Sequence, residues 1–463
     1  MRTYELKKAP GLPLYESLYR CIRQDILSGV LRPGDKLPSK RALAANLEVG
    51  KTTVEAAYAQ LLAEGYICSR EKIGFFVEAQ QRPLPPVTTQ PRAVQPPAEQ
   101  PLPVDLTGNG TGQFPFSVWI RLQREMILDY GQKLLLPLPN QGAPELRQAI
   151  ARHLADFRGM NVDPANILVG AGTDFLYNLL IQLLGRDKCY ALEEPGYRKI
   201  REIYAAGGVE CLPVPMDGSG IRPDCLGEAG VVHLSPGHHF PTGIVTPVSR
   251  RRELLDWAAA GDRWIIEDDY DSEFRFSGRP KPTMQSMDPG RVIYINTFSK
   301  TLAPSIRISY MVLPPALMEE FRQRLGFYSC TVPSFEQFTL TRFLDRGYFE
   351  KHINRMRRFY QSRRNRVIAL LESCPVADRL TILEKDAGLH FLLRVDTIRS
   401  DEELVAYLSS KGIRAQCLSS FYQNPPEDSR HCLVVNYSGL DEEALKKILP
   451  TLTGEGWKLV FER

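Results

Sequence analysis

Between residues 81 and 104 the chain reads QRPLPPVTTQPRAVQPPAEQPLPV. No other stretch limits the fold as strongly. Repeated proline removes backbone donors and favours extended polyproline II, and the segment has no aromatic side chain with which to build a core. A single continuous domain cannot run through it. The reading is therefore a short domain over residues 1–80, a linker over 81–104, and a long domain over 105–463. At roughly 3 Å per residue the linker spans several tens of Å. Both flanking parts are globular in composition, since 43% of residues are hydrophobic and 24% charged. The net charge of +4 is too small to point to nucleic acid by itself, so a basic surface has to be found locally. The nine cysteines form no CxxC pair, which speaks against a zinc site or a disulfide framework and suits a reducing cytoplasm. No metal site is expected. The start, MRTYELKKAPG, lacks the apolar run of a signal peptide, and no apolar stretch reaches membrane-span length.

The first domain reads as three helices and a hairpin. Tyr15, Leu18, Ile22 and Ile26 form an amphipathic stripe. Ser39 is a helix N-cap, SKRALAANL a short helix, EVG a tight turn and KTTVEAAYAQLLAEG a second helix whose Val54, Tyr58, Leu61 and Leu62 face inward. Short helix, turn and longer helix form the helix-turn-helix pattern, in which the second helix enters the major groove of double-stranded DNA. YICSREKIGFFVE adds two strands, with Arg70, Lys72 and Gly74 near their connecting tip. Lys36, Lys40, Arg41, Lys51, Arg70 and Lys72 can together face phosphates, with Lys40 and Arg41 at a helix N-terminus.

The run from PGDKLPSKRALA through KTTVEAAYAQL to EGY and GFFV resembles the winged helix-turn-helix of GntR-type bacterial regulators over nearly the whole domain. The resemblance implies backbone contact by Ser39 and Arg41, groove contact by Lys51, Thr52 and Thr53, and a minor-groove wing near Gly74. Lys51 stands where these proteins often have arginine, so the charge is kept and the bidentate fork is lost.

The long domain alternates apolar strands with helical patterns. NILVGAG, KCYALEEP, GVVHLSP, RWIIEDD, RVIYINTFS and RISYMVLP read as strands of a mostly parallel sheet covered on both faces. After about residue 340 a long basic helix leads into a smaller α+β part. The strand RVIYINTFS ends at Lys300. If that lysine forms a Schiff base with pyridoxal 5'-phosphate, four further groups are needed, and each has a candidate. Gly172 and Thr173 in GAGTDF open a helix that can face the phosphate, with Arg307, Thr297 and Ser299 beside it. Asp268 can keep the ring nitrogen protonated, Tyr270 can bond the ring oxygen, and Tyr197 can stack on the ring. Burial and the charge of Arg307 are both expected to lower the lysine's proton affinity.

From about residue 105 onward GAPELR, EEPGY, FPTG, the Asp268–Tyr270 pair and the Ser299-to-Arg307 spacing resemble a fold-type I, aspartate aminotransferase-like enzyme: an α/β domain with a small C-terminal α+β subdomain. Joined to a GntR-type domain, and with HHFPTG and EDDYDSEF, the chain resembles the MocR family of regulators. The family implies a head-to-tail homodimer. Three departures from the enzymes stand out. Phe240 replaces the asparagine that bonds the ring oxygen. Pro137 replaces a tyrosine that reaches the partner's phosphate. HCLVVNYSGL lacks the arginine that clamps a substrate carboxylate, leaving Arg414 and Arg430 as candidates for an amino-acid or amine effector. These departures favour a sensor over a working aminotransferase, and the nearly complete cofactor set argues against a bare dimerisation scaffold.

Overall fold

The computed structural model describes residues 4, 13–79, 104–108, 110, 113–274, 281–374, 376–384, 388–397 and 399–440. The chain divides into two compact units, Met1–Ala98 and Glu99–Arg463. Apart from Val104, the expected linker lies outside the described residues.

In the first unit α1 (Leu14–Leu27), α2 (Lys40–Asn46) and α3 (Lys51–Ala63) precede a hairpin of β1 (Ile67–Arg70) and β2 (Gly74–Val77). Leu18, Ile22 and Ile26 of α1 are buried against Val54, Tyr58 and Leu61 of α3, each such side chain worth about 1.5–3 kcal/mol when fully buried. Leu62 and Tyr15 are only partly covered. They lie at the rim of the stripe, and Ala57 takes an inner position on α3. Ser39 caps α2 by accepting from the Ala42 N–H at 3.2 Å. The Tyr58 hydroxyl donates to the Pro38 carbonyl at 2.9 Å, tying α3 to the start of α2.

The second unit opens with β3 (Val104–Asp105), so Val104 belongs to the fold and not to the linker. Then come α4 (Phe116–Tyr130), α5 (Pro144–Arg158), β4 (Ile167–Gly170), α6 (Thr173–Leu184), β5 (Tyr190–Glu194) and α7 (Arg198–Ala206). Next follow β6 (Cys211–Asp217), β7 (Gly220–Ile221), β8 (Val231–Leu234), α8 (Val248–Ala259), β9 (Trp264–Asp268), α9 (Met284–Met287), β10 (Val292–Thr297), α10 (Phe298–Thr301) and β11 (Ser309–Val312). An eight-stranded sheet runs β4-β11-β10-β9-β8-β5-β6-β7. Its centre is parallel, while β11 lies antiparallel between β4 and β10, and β7 is antiparallel to β6. The strands β4, β8 and β11 are buried at every position, as a sheet covered on both faces requires.

After α11 (Pro315–Leu325), α12 (Ser334–Asp345) and the 25-residue α13 (Tyr348–Glu372), the chain forms β12 (Leu380–Leu383), β13 (His390–Val395), α14 (Asp401–Ser410), β14 (Ile413–Arg414) and β15 (Cys432–Asn436). Strands β12, β13 and β15 make an antiparallel sheet, and β14 pairs with β3. On α13, Phe349, His352, Ile353, Met356 and Tyr360 are buried at helical spacing; Arg355, Arg358 and Arg366 are exposed, while Arg357 and Arg363 donate to the carbonyls of Glu273 and Ser438.

Candidate functional site

A cavity of about 410 Å³ opens where β5, β8, β9 and β10 end, with residues of β13 and β15 on its other side. The carboxyl ends of parallel strands are the usual site of ligand binding in α/β sheets, because helix N-termini and loops converge there. The cavity is lined by Thr173, Tyr197, Asp268, Tyr270, Thr297, Ser299, Lys300 and Arg307, among others. These residues come from five separate stretches of sequence and meet in one place.

Asp268 ends β9 and is 5% exposed. Its Oδ2 accepts from the Tyr177 hydroxyl and lies 3.6 Å from His233 Nε2. His233 Nδ1 is in turn 2.8 Å from the Tyr204 hydroxyl. The other carboxylate oxygen, Oδ1, is buried and has no hydrogen-bond partner. A buried polar atom left unpaired costs about 1–3 kcal/mol, so this oxygen is built to receive a donor from within the cavity.

At the far end Gly172 adopts φ 95° as the N-cap of α6. A Cβ there would lie 2.1 Å from Arg307 Nη2, so only glycine lets the guanidinium close on the helix start. Arg307 itself holds a left-handed backbone, φ 49°, a conformation that costs a non-glycine residue about 1–2 kcal/mol. The guanidinium donates to the Ala171 carbonyl at 3.3 Å and lies 3.5 Å from Asp174 Oδ2. Ser299 Oγ is buried without a partner. Thr297 differs: its hydroxyl accepts from the Ser299 N–H at 3.1 Å and from the Ser309 hydroxyl at 2.8 Å, so it holds the turn that carries Lys300.

Lys300 Nζ lies 5.8 Å from the centre of the Tyr270 ring. Burial lowers its pKa from the usual lysine value, against the pull of Asp271 and Asp268. The expected push from Arg307 is absent from these influences, and Asp271 and Asp268 both favour the proton. Burial, with Asp271 next, holds the Tyr270 phenol well above its usual pKa, so it remains a donor. Tyr197 is half exposed and meets Phe240 edge-on at 5.9 Å. Phe240 also touches His390 and Phe421, so the ring that cannot hydrogen-bond completes an aromatic wall.

Two expectations fail. Arg414 is exposed on β14 and Arg430 is exposed beside Glu427, 3.7 Å away, and neither lines the cavity. Their strand and loop turn them to solvent, and the neighbours that do reach the cavity are Gln416 and Asn436. The cations on the wall, besides Lys300 and Arg307, are Arg198, Lys199 and Arg201 of α7. Other wall residues escaped the sequence reading. Glu193 is pushed up to about 8 by burial, and His239 down to about 3 by burial and by His238. A rule that reads the last residues of every parallel strand would have found Glu193.

In the first unit Lys51 and Thr52 are exposed at the start of α3 and Thr53 is partly covered. Lys51 pairs with Glu55 at 3.3 Å. Arg41 is exposed in the first turn of α2. The turn between β1 and β2 holds Lys72 at φ 60° and Gly74 at φ 130°. Lys36 and Arg70 stack on Phe76, at 6.0 and 4.7 Å, while Lys40 stacks on Phe75 at 5.3 Å. Neighbouring strand residues point to opposite faces, so cations flank both sides of the hairpin and do not share a single plane.

Residues 14–77 match the gntR family of bacterial regulatory proteins, and residues 105–452 match the class I and II aminotransferases. A probable rhizopine catabolism regulatory protein, MocR of Rhizobium meliloti, is 33% identical over 96% of this chain and 94% of its own. The chain belongs to the MocR family of transcriptional regulators. Another MocR-type relative is the pyridoxine biosynthesis regulator PdxR of Corynebacterium glutamicum, 31% identical over 93% of each chain. The uncharacterised regulator YhdI of Bacillus subtilis is 36% identical over 95% of each. Among solved structures, a kynurenine aminotransferase of Pyrococcus horikoshii superposes with a TM-score of 0.65 at 25% identity, covering 76% of this chain and 91% of its own. MocR-type chains thus join a DNA-binding GntR domain to a fold whose enzymes work with pyridoxal phosphate. Among the described residues no helix is long and apolar enough to cross a membrane.

Proposed function

We propose that this MocR-type regulator binds pyridoxal phosphate covalently through Lys300 and converts occupancy of the cavity into a change of operator affinity. The observation that carries this reading is the unpartnered, buried Oδ1 of Asp268 in the cavity that also holds Lys300. Pyridoxal phosphate supplies an aldehyde that bonds to primary amines and a ring that withdraws electrons when its nitrogen is protonated. Asp268 would hold that proton at the ring nitrogen. Arg307, Ser299 and the first turn of α6 would hold the phosphate. Tyr270 would donate to the ring oxygen, and Tyr197 would cover a ring face. Burial keeps Lys300 nearer its neutral, nucleophilic form.

An amino-acid or amine effector is part of the reading. Its carboxylate would meet the α7 cations, and Arg414 and Arg430 have no part in it. Turnover is not part of the reading, since Phe240 gives no second hydrogen bond at the ring oxygen. A homodimer is supported by exposed apolar side chains on and after α4, namely Phe116, Leu128, Leu135 and Leu136, and by Phe327. Operator contact would come from Ser39, Arg41, Lys51, Thr52 and Thr53, with the hairpin tip in the minor groove between two phosphate walls. Work in the cytoplasm fits a regulator of this kind. Visible absorbance after cofactor addition tests the anchor: colour is expected in the wild type and none in Lys300→Ala. A wild type that stays colourless sinks the proposal.

A further inference from the structure

Behind Tyr270 lies a group of side chains that the cofactor contacts above leave unused. His238 Nδ1 is 2.8 Å from Asp271 Oδ2, and the two residues are 3% and 4% exposed. The Tyr270 hydroxyl lies 3.4 Å from the same nitrogen. The ring of His390 packs on that of His238 with centroids 4.7 Å apart. The slot is enforced sterically, since a Cβ at position 388 would fall 1.7 Å from His238 Cε1. His390 Nε2 faces the Pro241 carbonyl at 3.1 Å, and His239 Nδ1 faces the Thr242 hydroxyl at 2.7 Å. Of these three neighbouring histidines, His238 has the closest carboxylate, at 2.8 Å, while His239 Nε2 lies 3.5 Å from Glu193 Oε2.

Electrostatics point the same way. His390 and His239 are both held below the usual histidine pKa, first by burial and next by the charge at His238. Asp271 is the leading charge that favours a proton on Lys300, ahead of Asp268. The groups that face this pair are Tyr270, Asp268 and Glu273 from β9 and the turn after it, His390 from β13, His239 beside it, Glu193 from β5, Lys300 from α10 and Tyr437 just after β15.

We propose that His238 and Asp271 form a buried ion pair that acts on Lys300 Nζ from behind Tyr270, with Asp271 favouring a proton there and His238 opposing it. Both are positioning residues. The inference deepens the Lys300 reading and rests on it for the loaded protein. The pair takes part in no bond making. Neither member is consumed. With Phe240 unable to hydrogen-bond, this pair and Tyr270 supply the polar environment on that side of the anchor.

The test uses the full-length protein loaded with pyridoxal phosphate. The pH midpoint of its visible band is measured in wild type, Asp271→Asn and His238→Gln. A negative charge stabilises a protonated nitrogen and a positive charge opposes it. Asp271→Asn should therefore lower the midpoint, and His238→Gln should raise it, each by about one pH unit. Both substitutions are close in size, and if one fails to fold the sign given by the other still decides. Midpoints that stay put, or that move in the same direction, overturn the proposal, because a purely structural role gives no opposite signs. A second readout needs no cofactor: the pH dependence of Lys300 acylation, followed by peptide mass, should shift in the same two directions. A wild type that takes no colour but keeps that order overturns the cofactor reading and supports the pair; unshifted acylation in a protein that does colour overturns the pair alone.

Discussion

Lys51 and Lys300 are both lysines in the first turn or so of a helix, and they have little else in common. Lys51 stands in water, paired loosely with Glu55 at 3.3 Å. Such an exposed i,i+4 pair is worth about 0.3–0.5 kcal/mol and weakens with salt. Lys300 is enclosed, its proton disfavoured by burial and partly restored by two carboxylates. The difference extends to the regions around them. On the winged unit the cations act as a sum, so each one is replaceable and the whole is salt-sensitive. In the cavity each polar atom has one task, so a single change removes a function.

The largest expected effect tests that contrast directly. Lys300→Ala should abolish the visible band while leaving DNA binding by cofactor-free protein within about twofold, measured by absorbance and by fluorescence anisotropy. Next comes Glu193. Its carboxyl is raised by burial from 4.5 to about 8, so the native state keeps a proton that the unfolded chain gives up. The stability tied to that proton is complete below about pH 4.5 and is lost as pH rises to about 8. Glu193→Gln should remove this pH dependence, about 3–5 kcal/mol over that window, read from urea unfolding at a series of pH values. Gly172→Ala should cost about 1–3 kcal/mol, from positive φ and from the collision with Arg307, and should weaken cofactor binding more than it weakens the fold. Arg41→Ala should cost about 1 kcal/mol against every duplex and reduce the salt slope by about one. Smallest of all, Lys51→Ala should change folding stability by less than about 0.5 kcal/mol while still weakening DNA binding. A Lys51 variant that unfolded the winged unit would break the comparison.

Much of the second unit could be read from sequence because its central strands are unbroken apolar runs ending at chemically distinctive residues. RWIIEDD and RVIYINTFS carried both the strand and its site residue. Direction was harder. RISYMVLP forms β11, which enters antiparallel, and an apolar run looks the same whichever way it lies. Strand β6 went unread because CLPVPMD contains two prolines; the structure tolerates them where only the two-residue β7 covers the outer edge. In the cavity, Asp268, Tyr270, Lys300 and Arg307 sit in short local motifs and were legible. His390 and Gly388 come from a distant part of the chain, and their closeness to His238 is a tertiary fact with no local signature. Arg414 and Arg430 show the converse error. Nearness in sequence to a missing residue says nothing of which way a side chain points.

The cavity wall is shared. Glu193 and Asp268 come from the large sheet and Lys300 from α10, directly after its strand β10, while His390, Val434 and Asn436 come from the three-stranded one. Any molecule that touches both walls is therefore a clasp between two sheets, and its length sets how closely they can draw together. A short amine and a long one would leave the protein in different postures even if both bonded at the same lysine. Selectivity in such a device could lie less in how tightly a guest is held than in how far it lets the jaws close.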